Sequence, residues 1–206
     1  MRILLVRHGE TEWNRTKRFQ GQVDIPLNDV GQEQAEALRV RLSNTPLSHV
    51  VSSDLSRARQ TAETISMGRG LTLHCDPRWR ELALGDLEGL YRDEVLAAHP
   101  KVIERWREAP QSVVMPGGES LEQLQTRVWE AYQDLPQLNA DENILVVGHG
   151  FALISLLCRL LEVPLAKFRR FWLDHTGMSE IHRTAAQTVV RRINDTAHLE
   201  ELSSSV

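Results

Sequence analysis

The chain has 206 residues, of which 41% are hydrophobic and 25% are charged, close to the averages for soluble globular domains. Its length and composition exclude a small disulfide-stapled scaffold, a fibrous repeat and wholesale disorder. A formal net charge of -4 argues against sequence-independent binding to nucleic acid or to an anionic membrane. Any bound anion must therefore interact with positively charged residues close to its binding site.

Three short apolar runs each end in polar or glycine residues and are followed by helical periodicity. They are residues 3–6, 50–51 and 144–147. Continuous apolar runs suit strands that are buried on both faces, as in a parallel sheet covered by helices. The sequence therefore predicts a single α/β domain, with a mostly parallel central sheet flanked by helices on both faces.

Helix signals follow these runs. One helix is expected to begin near Asn28 or Asp29, and a second follows Asp54, which is placed to cap it. A third begins with Ser120 and Gln123, whose spacing is typical of a capping box.

The remaining elements lie in the second half of the chain. Residues 90–116 are less regular, hold several prolines and charges, and are expected to form a helical lid insertion. Residues 178–183 and 188–193 are typical of two strands in a hairpin. The chain after about Glu200 is expected to be a loose tail.

Polar clusters follow each of the three strand candidates. In an open α/β sheet, ligands bind beyond the carboxyl ends of the strands. The first strand delivers Arg7 and His8, the second is followed by Arg57 and Arg59, and the third delivers His149. Each feature alone is more often structural, but their coincidence at equivalent strand ends predicts an anion site with a nucleophile. A glycine follows each histidine, which we interpret as room for a ligand to approach the backbone.

Motifs of other common enzyme classes are absent. The sequence lacks the Gly-rich phosphate loop, the dinucleotide-binding turn, the nucleophile elbow and the paired-histidine zinc helix. Cys75 and Cys158 belong to no paired metal motif, and we expect both to be buried thiols. The eight histidines show no metal spacing, so neither a metal nor another cofactor is expected.

Targeting signals are also missing from the sequence. Residues 3–6 are far fewer than the roughly 7 to 15 apolar residues of a signal peptide. No apolar stretch reaches the ~18 residues of a membrane span. The expected location is the cytoplasm, with no membrane or nucleic-acid partner.

Seven sequence blocks occur in a specific order that covers nearly the whole chain. They are Leu5-Val6-Arg7-His8-Gly9-Glu10-Thr11-Glu12-Trp13-Asn14, Gln20-Gly21-Gln22-Val23-Asp24-Ile25-Pro26-Leu27, Ser52-Ser53-Asp54-Leu55-Ser56-Arg57-Ala58, Arg80-Glu81-Leu82, Gly85-Asp86-Leu87-Glu88-Gly89, Gly117-Gly118-Glu119-Ser120 and Gly148-His149-Gly150. This ordered set resembles the histidine phosphatase superfamily, in its phosphoglycerate mutase-like branch. The resemblance implies the phosphoglycerate mutase-like fold and an enzyme that acts on phosphomonoesters.

The resemblance also implies catalytic roles for matching residues. His8 would be the nucleophile that takes the phosphoryl group, and Arg7, Arg57 and His149 would bind its oxygens. Glu81 would be the proton donor to the leaving group. A phosphomonoester carries roughly -1.5 to -2 charges at neutral pH, which two guanidinium groups nearly balance. A neutral imidazole can attack phosphorus, since its ordinary pKa is near 6.5.

Further positions are implied with less definite roles. Asn14 would add a hydrogen bond to the phosphate, while Gln20 and Gly21 would border the pocket or, as an open alternative, only order their loop. Other carboxylates compete with Glu81 but are expected to be surface or loop-ordering groups; they are Glu10, Glu12, Asp86 and Glu88.

Three functions stay open from the sequence. The leading one is a metal-independent phosphatase acting through phosphohistidine on a small phosphomonoester, favoured by the short separation of Gly89 from Gly117. The second is a cofactor-dependent phosphoglycerate mutase, and the third is a catalytically silent binding module. A homodimer is also an open possibility, but no interface can be located.

The substrate is open among several phosphomonoesters. The segment 106–120 is similar to that of metal-independent phosphoserine phosphatases, while other blocks fit α-ribazole, sugar-phosphate and broad-specificity phosphatases equally well. Lys101, Arg105 and Arg107 could bind a substrate carboxylate, although a solvated helix face is the favoured interpretation.

Overall fold

A computed structural model of the chain describes residues 1–136 and 142–200, and the predicted tail after residue 200 lies outside them. Its six strands are β1 (Arg2–Arg7), β2 (His49–Ser52), β3 (Leu73–Cys75), β4 (Asn143–Gly148), β5 (Met178–Arg183) and β6 (Thr188–Asp195). They form one sheet in the order β3-β2-β4-β1-β5-β6. The first four strands of this order are parallel to one another, β5 is antiparallel to β1, and β6 is antiparallel to β5. The predicted α/β class with a mostly parallel sheet is confirmed.

The described α-helices are α1 (Glu12–Arg15), α2 (Asp29–Arg41), α3 (Ser56–Ser66), α4 (Arg92–Ala98), α5 (Pro100–Glu108), α6 (Leu121–Gln133) and α7 (Gly150–Leu160). Asn28 caps α2 and Ser120 forms the predicted capping box at α6. The predicted cap of α3 by Asp54 is wrong. Leu55 occupies the cap position without a side-chain bond, because the Asp54 carboxylate instead accepts a 2.7 Å hydrogen bond from Arg80 Nε.

The unbroken apolar run of β1 is explained by two cores, one on each face of the sheet. Alternate strand residues point to opposite faces. Ile3 and Leu5 therefore join the core covered by α6 and α7, while Leu4 and Val6 join the core covered by α2 and α3. No helix within the described ranges is both long and apolar enough to cross a membrane.

The carboxyl ends of β1, β2 and β4 meet at one edge of the sheet. Arg7 at the end of β1 lies opposite Gly148 at the end of β4. Because β5 runs antiparallel to β1, the loop before β5 reaches the same edge, where Thr176 N donates a 2.9 Å hydrogen bond to Arg7 O. Four stretches of chain that are distant in sequence are thus brought together.

The predicted lid segment is helical in the structure. It contains α4, α5 and a 3₁₀ turn at Pro110–Ser112. Trp106 of α5 packs edge-on against Phe151 and Phe168, with ring centroids 6.3 Å and 5.7 Å away. The tryptophan therefore anchors α5 to the main domain, and a lid function for the segment stays a prediction.

The two cysteines differ in burial. Cys158 lies in the core as expected, but the prediction that Cys75 is buried is wrong. Cys75 ends β3, which is an edge strand of the sheet and pairs with β2 alone. An edge strand of only three residues leaves its last side chain uncovered.

Candidate active site

His8 follows the last residue of β1 and is only 3% exposed. Its Nδ1 lies 2.6 Å from Gly9 O. Because a carbonyl oxygen can only accept, Nδ1 carries the hydrogen of the neutral ring, and Nε2 keeps its lone pair. The backbone therefore fixes the tautomer that a nucleophilic Nε2 requires.

The surroundings of His8 favour its neutral form. Burial lowers the pKa of His8 well below its ordinary value, and the Arg57 guanidinium lowers it further. An imidazole that carries no proton on Nε2 at neutral pH needs no general base before it attacks an electrophile.

His149 lies beside His8 at the end of β4, with ring centroids 5.0 Å apart. It is fully buried, and neither ring nitrogen hydrogen-bonds any described residue. Burial lowers its pKa well below the ordinary value, and Arg57 adds to this effect. Buried polar atoms are nearly always paired, so the His149 ring has hydrogen-bonding capacity available for a ligand.

Only part of the Arg7 guanidinium is held by hydrogen bonds to the protein. Its Nη1 donates to Leu173 O at 2.6 Å, and its Nη2 lies 3.0 Å from His175 Nε2. The buried Nε has no partner among the described residues. Burial lowers the pKa of Arg7, and the nearby Glu81 carboxylate opposes that shift. The side chain is therefore held at one end while Nε remains able to donate.

Arg57, on the first turn of α3, is fully buried. Its Nη1 and Nη2 donate at 2.8 Å to Val23 O and Gly21 O. The amide oxygen of Gln20, in the orientation that satisfies both of its neighbours, accepts from Nε at 2.6 Å. Burial lowers the pKa of Arg57 to about 10, so the cation persists at neutral pH. Arg59, by contrast, is exposed and pairs with Glu63 at 3.8 Å.

These contacts locate Gln20 and Gly21 behind Arg57. Neither residue lines the cavity described below. Asn14 is the third residue of α1 and closes a capping box, since its Oδ1 accepts from Thr11 N at 3.1 Å. Only the amide Nδ2 of Asn14 is left for a phosphate oxygen.

Glu81 is fixed by the start of α7. Its Oε2 accepts a 3.1 Å hydrogen bond from Phe151 N, and its Oε1 accepts from Ala152 N at 3.2 Å and Leu82 N at 2.8 Å. The first turn of a helix offers unpaired N–H groups, which here orient a carboxylate.

A partly buried ion pair supports the segment that carries Glu81. Arg127 donates to Glu81 O, Arg78 O and Arg80 O, each at 2.8 Å. Glu119 pairs with the same guanidinium. Sequence reasoning missed Arg127, which occupies an ordinary exposed-face position in a helical pattern.

The rival carboxylates have other contacts. Glu10 accepts a hydrogen bond from Asn28, and Glu12 forms an ion pair with Arg15. Glu88 accepts hydrogen bonds from the backbone N–H groups of Gln22 and Leu84. Asp86 is exposed. The expectation of surface and loop-ordering roles agrees with these contacts.

The glycines after the two histidines differ in purpose. A Cβ on Gly9 would lie 2.5 Å from Gly31 O, so this glycine permits close backbone packing, and our interpretation that it makes room for a ligand is wrong. A Cβ on Gly150 would lie 3.6 Å from Glu81 Oε2 and 3.7 Å from Arg7 Nε. The acid and the cation therefore converge on one point beside Gly150.

His175 is a third histidine at this edge that the sequence did not reveal. Its ring centroid lies 6.0 Å from that of His8, and its Nε2 faces Arg7. Burial lowers the pKa of His175 to about 3, and Arg7 contributes. A neutral His175 accepts the hydrogen bond from Arg7 Nη2. Nothing in the local sequence signals this role, because it depends on the antiparallel direction of β5.

A cavity of about 430 Å³ opens from Arg7, Glu81 and Gly150. The rest of its lining is mainly apolar and comprises Phe151, Ile154, Phe168, Arg169, Phe171, Trp172 and Leu173. Lys101, Arg105 and Arg107 are exposed on α5 and do not line it. Across residues 1–136 and 142–200, no three His, Cys, Asp or Glu side chains cluster as a metal site.

The buried histidines predict a loss of stability in mild acid. Burial lowers the pKa values of His8 and His149 well below 6.5, so only the unfolded chain takes up these protons as pH falls below about 6.5. We expect the free energy of unfolding in urea to fall between about pH 7 and 5, by up to about 1.4 kcal/mol per pH unit for each buried histidine. His149→Asn should reduce this slope and exposed His74→Asn should not; a flat profile in the wild type would contradict the account.

Comparison with known proteins finds relatives that match nearly the whole chain. A probable phosphoglycerate mutase GpmB from Yersinia pestis is 37% identical, over 97% of this chain and 95% of that protein. The structure of Bacillus stearothermophilus YhfR superposes with a TM-score of 0.91 at 32% identity, covering 97% of this chain and 99% of that one. A phosphoserine phosphatase from Entamoeba histolytica gives a TM-score of 0.84 at 26% identity, covering 96% and 98%.

The family assignment extends over nearly the whole chain. Residues 3–196 match the histidine phosphatase superfamily (branch 1). The match includes every strand end described above, and the family implies a phosphomonoester substrate. The chain belongs to branch 1 of the histidine phosphatase superfamily, and it is a phosphatase or mutase of that family.

Proposed function

We propose that the protein is a metal-independent phosphatase that hydrolyses a small phosphomonoester through a phosphohistidine at His8. One observation carries this proposal: a neutral His8 with a free Nε2 lies beside buried His149, in the positive field of Arg57 and Arg7. The arginine charges match a phosphate dianion, and phosphoryl transfer depends mainly on such positioning and electrostatics.

The first step forms the covalent intermediate. His8 Nε2 attacks phosphorus as the bond from phosphorus to the ester oxygen breaks, and Glu81 gives its proton to the leaving oxygen. Arg7 Nε, Arg57 and His149 stabilise the charge on the other phosphoryl oxygens. Glu81 is placed for the acid role because it lines the same cavity as Arg7, and both side chains lie beside Gly150.

The second step restores the enzyme. Water attacks the phosphorus of phosphohistidine, Glu81 takes a proton from that water, and the bond from phosphorus to Nε2 breaks. Inorganic phosphate leaves, and the Nε2 lone pair is regenerated. Two displacements of this kind replace one harder direct hydrolysis.

Phosphoglycerate mutase activity is the second candidate, favoured by the name of the Yersinia relative. A mutase must exclude water so that the phosphoryl group returns to the product. Trp172 at the cavity is 71% exposed, so solvent reaches this wall. The exposed wall supports hydrolysis over retention of the phosphoryl group.

Product analysis in EDTA tests the proposal. The substrates are p-nitrophenyl phosphate, phosphoserine, 3-phosphoglycerate and α-ribazole phosphate. We expect stoichiometric release of inorganic phosphate from at least one of them. Conversion of 3-phosphoglycerate to its 2-isomer without phosphate release would establish the mutase instead, and loss of activity in EDTA that added metal restores would refute metal independence.

His175 is expected to position Arg7 for phosphate. His175→Ala removes the acceptor at 3.0 Å from Arg7 Nη2, so KM and the inhibition constant of inorganic phosphate should each rise about tenfold, with a smaller change in kcat. His175→Gln offers an amide oxygen and should recover part of the loss. An unchanged phosphate inhibition constant in His175→Ala, or no difference between the two variants, would remove this role.

A further inference from the structure

The cavity beside Glu81 has two chemically different ends. Arg7, Glu81 and Gly150 form the end where the proposed reaction takes place. The rest of the lining is mainly apolar and aromatic side chains: Phe151, Ile154, Phe168, Phe171, Trp172 and Leu173. His8 itself is not among the lining residues, but Arg7 and Glu81 belong both to the cavity and to the proposed reaction site. A substrate bound by Arg7, with its ester oxygen at Glu81, would therefore place its alcohol portion in this cavity.

We propose that this apolar part of the cavity is the leaving-group subsite, and that the substrate is a phosphomonoester of a flat apolar or aromatic alcohol. The inference rests on the proposed phosphatase function and adds the substrate class. It disfavours phosphoserine and phosphoglycerate, whose charged groups need polar partners.

Trp172 is the most unusual residue of the subsite. It is 71% exposed and lines the cavity, so it offers a large flat apolar face to a ligand bound there. Its Nε1 donates a 2.8 Å hydrogen bond to Asp174 Oδ1, and Asp174 Oδ2 accepts from Asn194 Nδ2 at 2.7 Å. These bonds fix the edge of the indole ring, so the ring needs no further ordering before a ligand packs against its face.

The deeper wall is also rigid. Phe151 and Phe168 pack edge-on with centroids 5.5 Å apart, and Trp106 packs against both rings. Edge-on contacts of this kind hold aromatic rings in defined positions. An apolar ligand therefore meets a preformed surface, and little ordering of the protein is needed for binding.

Charges in the subsite do not suit an amino acid or a glycerate. Apart from Arg7, Arg169 is the one cation among the described lining residues. Its guanidinium lies over the Phe168 ring at 4.9 Å, and Nη2 donates to Trp106 O at 2.8 Å. These contacts hold the guanidinium along the wall and occupy its Nη2, so less of this cation is available to a substrate carboxylate. Among the described residues that line the cavity, the one carboxylate open to a substrate ammonium is Glu81, which the reaction uses.

Substrates with equally basic leaving groups provide the test, because aryl phosphates react faster for chemical reasons alone. We expect kcat/KM for 2-(1-naphthyl)ethyl phosphate to exceed that for ethyl phosphate and for phosphoserine by at least about tenfold. Trp172→Ala should lower the naphthylethyl value about fivefold to tenfold and leave ethyl phosphate within about twofold. Trp129→Ala is the matched control, since Trp129 contacts Tyr132 and Arg159 away from the cavity.

Equal kcat/KM values for naphthylethyl and ethyl phosphate, or an equal effect of Trp172→Ala on both, would overturn the subsite. Binding of unreactive phosphonates separates this result from failure of the proposed function. Calorimetry should show tighter binding of 2-(1-naphthyl)ethylphosphonate than of methylphosphonate, and Trp172→Ala should remove most of the difference. If no ester is hydrolysed, the phosphatase proposal fails, and equal phosphonate affinities would then reject the subsite as well.

Discussion

His8→Ala is expected to lose phosphatase activity by a factor on the order of 10⁴ to 10⁶, the range seen when a covalent nucleophile or its partner is removed. The proposed reaction has no other group that can accept the phosphoryl group. The hydrogen bond of His8 Nδ1 to Gly9 O fixes the tautomer in which Nε2 of this ring is the nucleophilic nitrogen. The measurement is steady-state release of inorganic phosphate from p-nitrophenyl phosphate.

Two controls accompany this variant. His74→Ala removes an exposed histidine from β3 and should retain wild-type activity. Thermal unfolding of His8→Ala should remain cooperative, which shows that the loss is chemical. Activity within tenfold of wild type in a folded His8→Ala protein would contradict nucleophilic catalysis by this residue.

Glu81→Gln is expected to separate substrates by leaving group. A general acid contributes about 10² to 10⁴ in rate when the leaving oxygen is basic, and little when it is stable as an anion. Hydrolysis of ethyl phosphate should therefore fall by about 10² to 10⁴, while p-nitrophenyl phosphate should fall by less than about tenfold. The measurement is kcat/KM for a series of phosphate esters plotted against the basicity of the leaving alcohol.

Glu88→Gln is the matched control, because its carboxylate accepts from the backbone of Gln22 and Leu84 in the same stretch of chain. It should leave the dependence on leaving group unchanged. In the Glu81→Gln variant, the amide NH₂ group would face the N–H of Phe151 or Ala152, so one hydrogen bond would be lost. The melting temperatures of the variant and the wild type are therefore compared as well. A folded Glu81→Gln protein with the wild-type dependence would exclude Glu81 as the acid.

The sheet and the central residues of the site were predictable because they depend on local patterns. Buried runs mark β1, β2 and β4, and the rule that parallel strands end together brings His8 near His149. Arg57 follows from the same rule, since it lies on the first turn of the helix after β2. Their proximity needs only strand direction and chain order.

Other features depend on contacts between distant segments, which a sequence pattern does not encode. His175 meets Arg7 only because β5 is antiparallel to β1. Gln20 contacts the back of Arg57 through a loop that carries no helix or strand signal. Asp54 had a suitable position to cap α3, but a guanidinium on a remote segment, Arg80, competes for its carboxylate.

The cavity that we propose as the leaving-group subsite could not be predicted for the same reason. The basic residues of α5 left a carboxylate-binding role open, but the favoured interpretation was a solvated helix face. The structure agrees with the latter, since Lys101, Arg105 and Arg107 are exposed. The wall of the cavity is instead contributed by α7 and the chain before β5, whose apolar residues are typical of core. Periodicity cannot distinguish an apolar residue that lines a cavity from one that fills a core.

Direct detection of phosphohistidine tests the central claim most directly. The wild-type protein is mixed briefly with p-nitrophenyl phosphate in EDTA, quenched in base, where phosphohistidine survives, and mapped by peptide mass spectrometry beside His8→Ala. The account predicts one added phosphoryl group on the peptide that contains His8, formed and lost at rates compatible with turnover, and none in the variant. Turnover without any phosphorylated His8, or with the group on another residue, would contradict it.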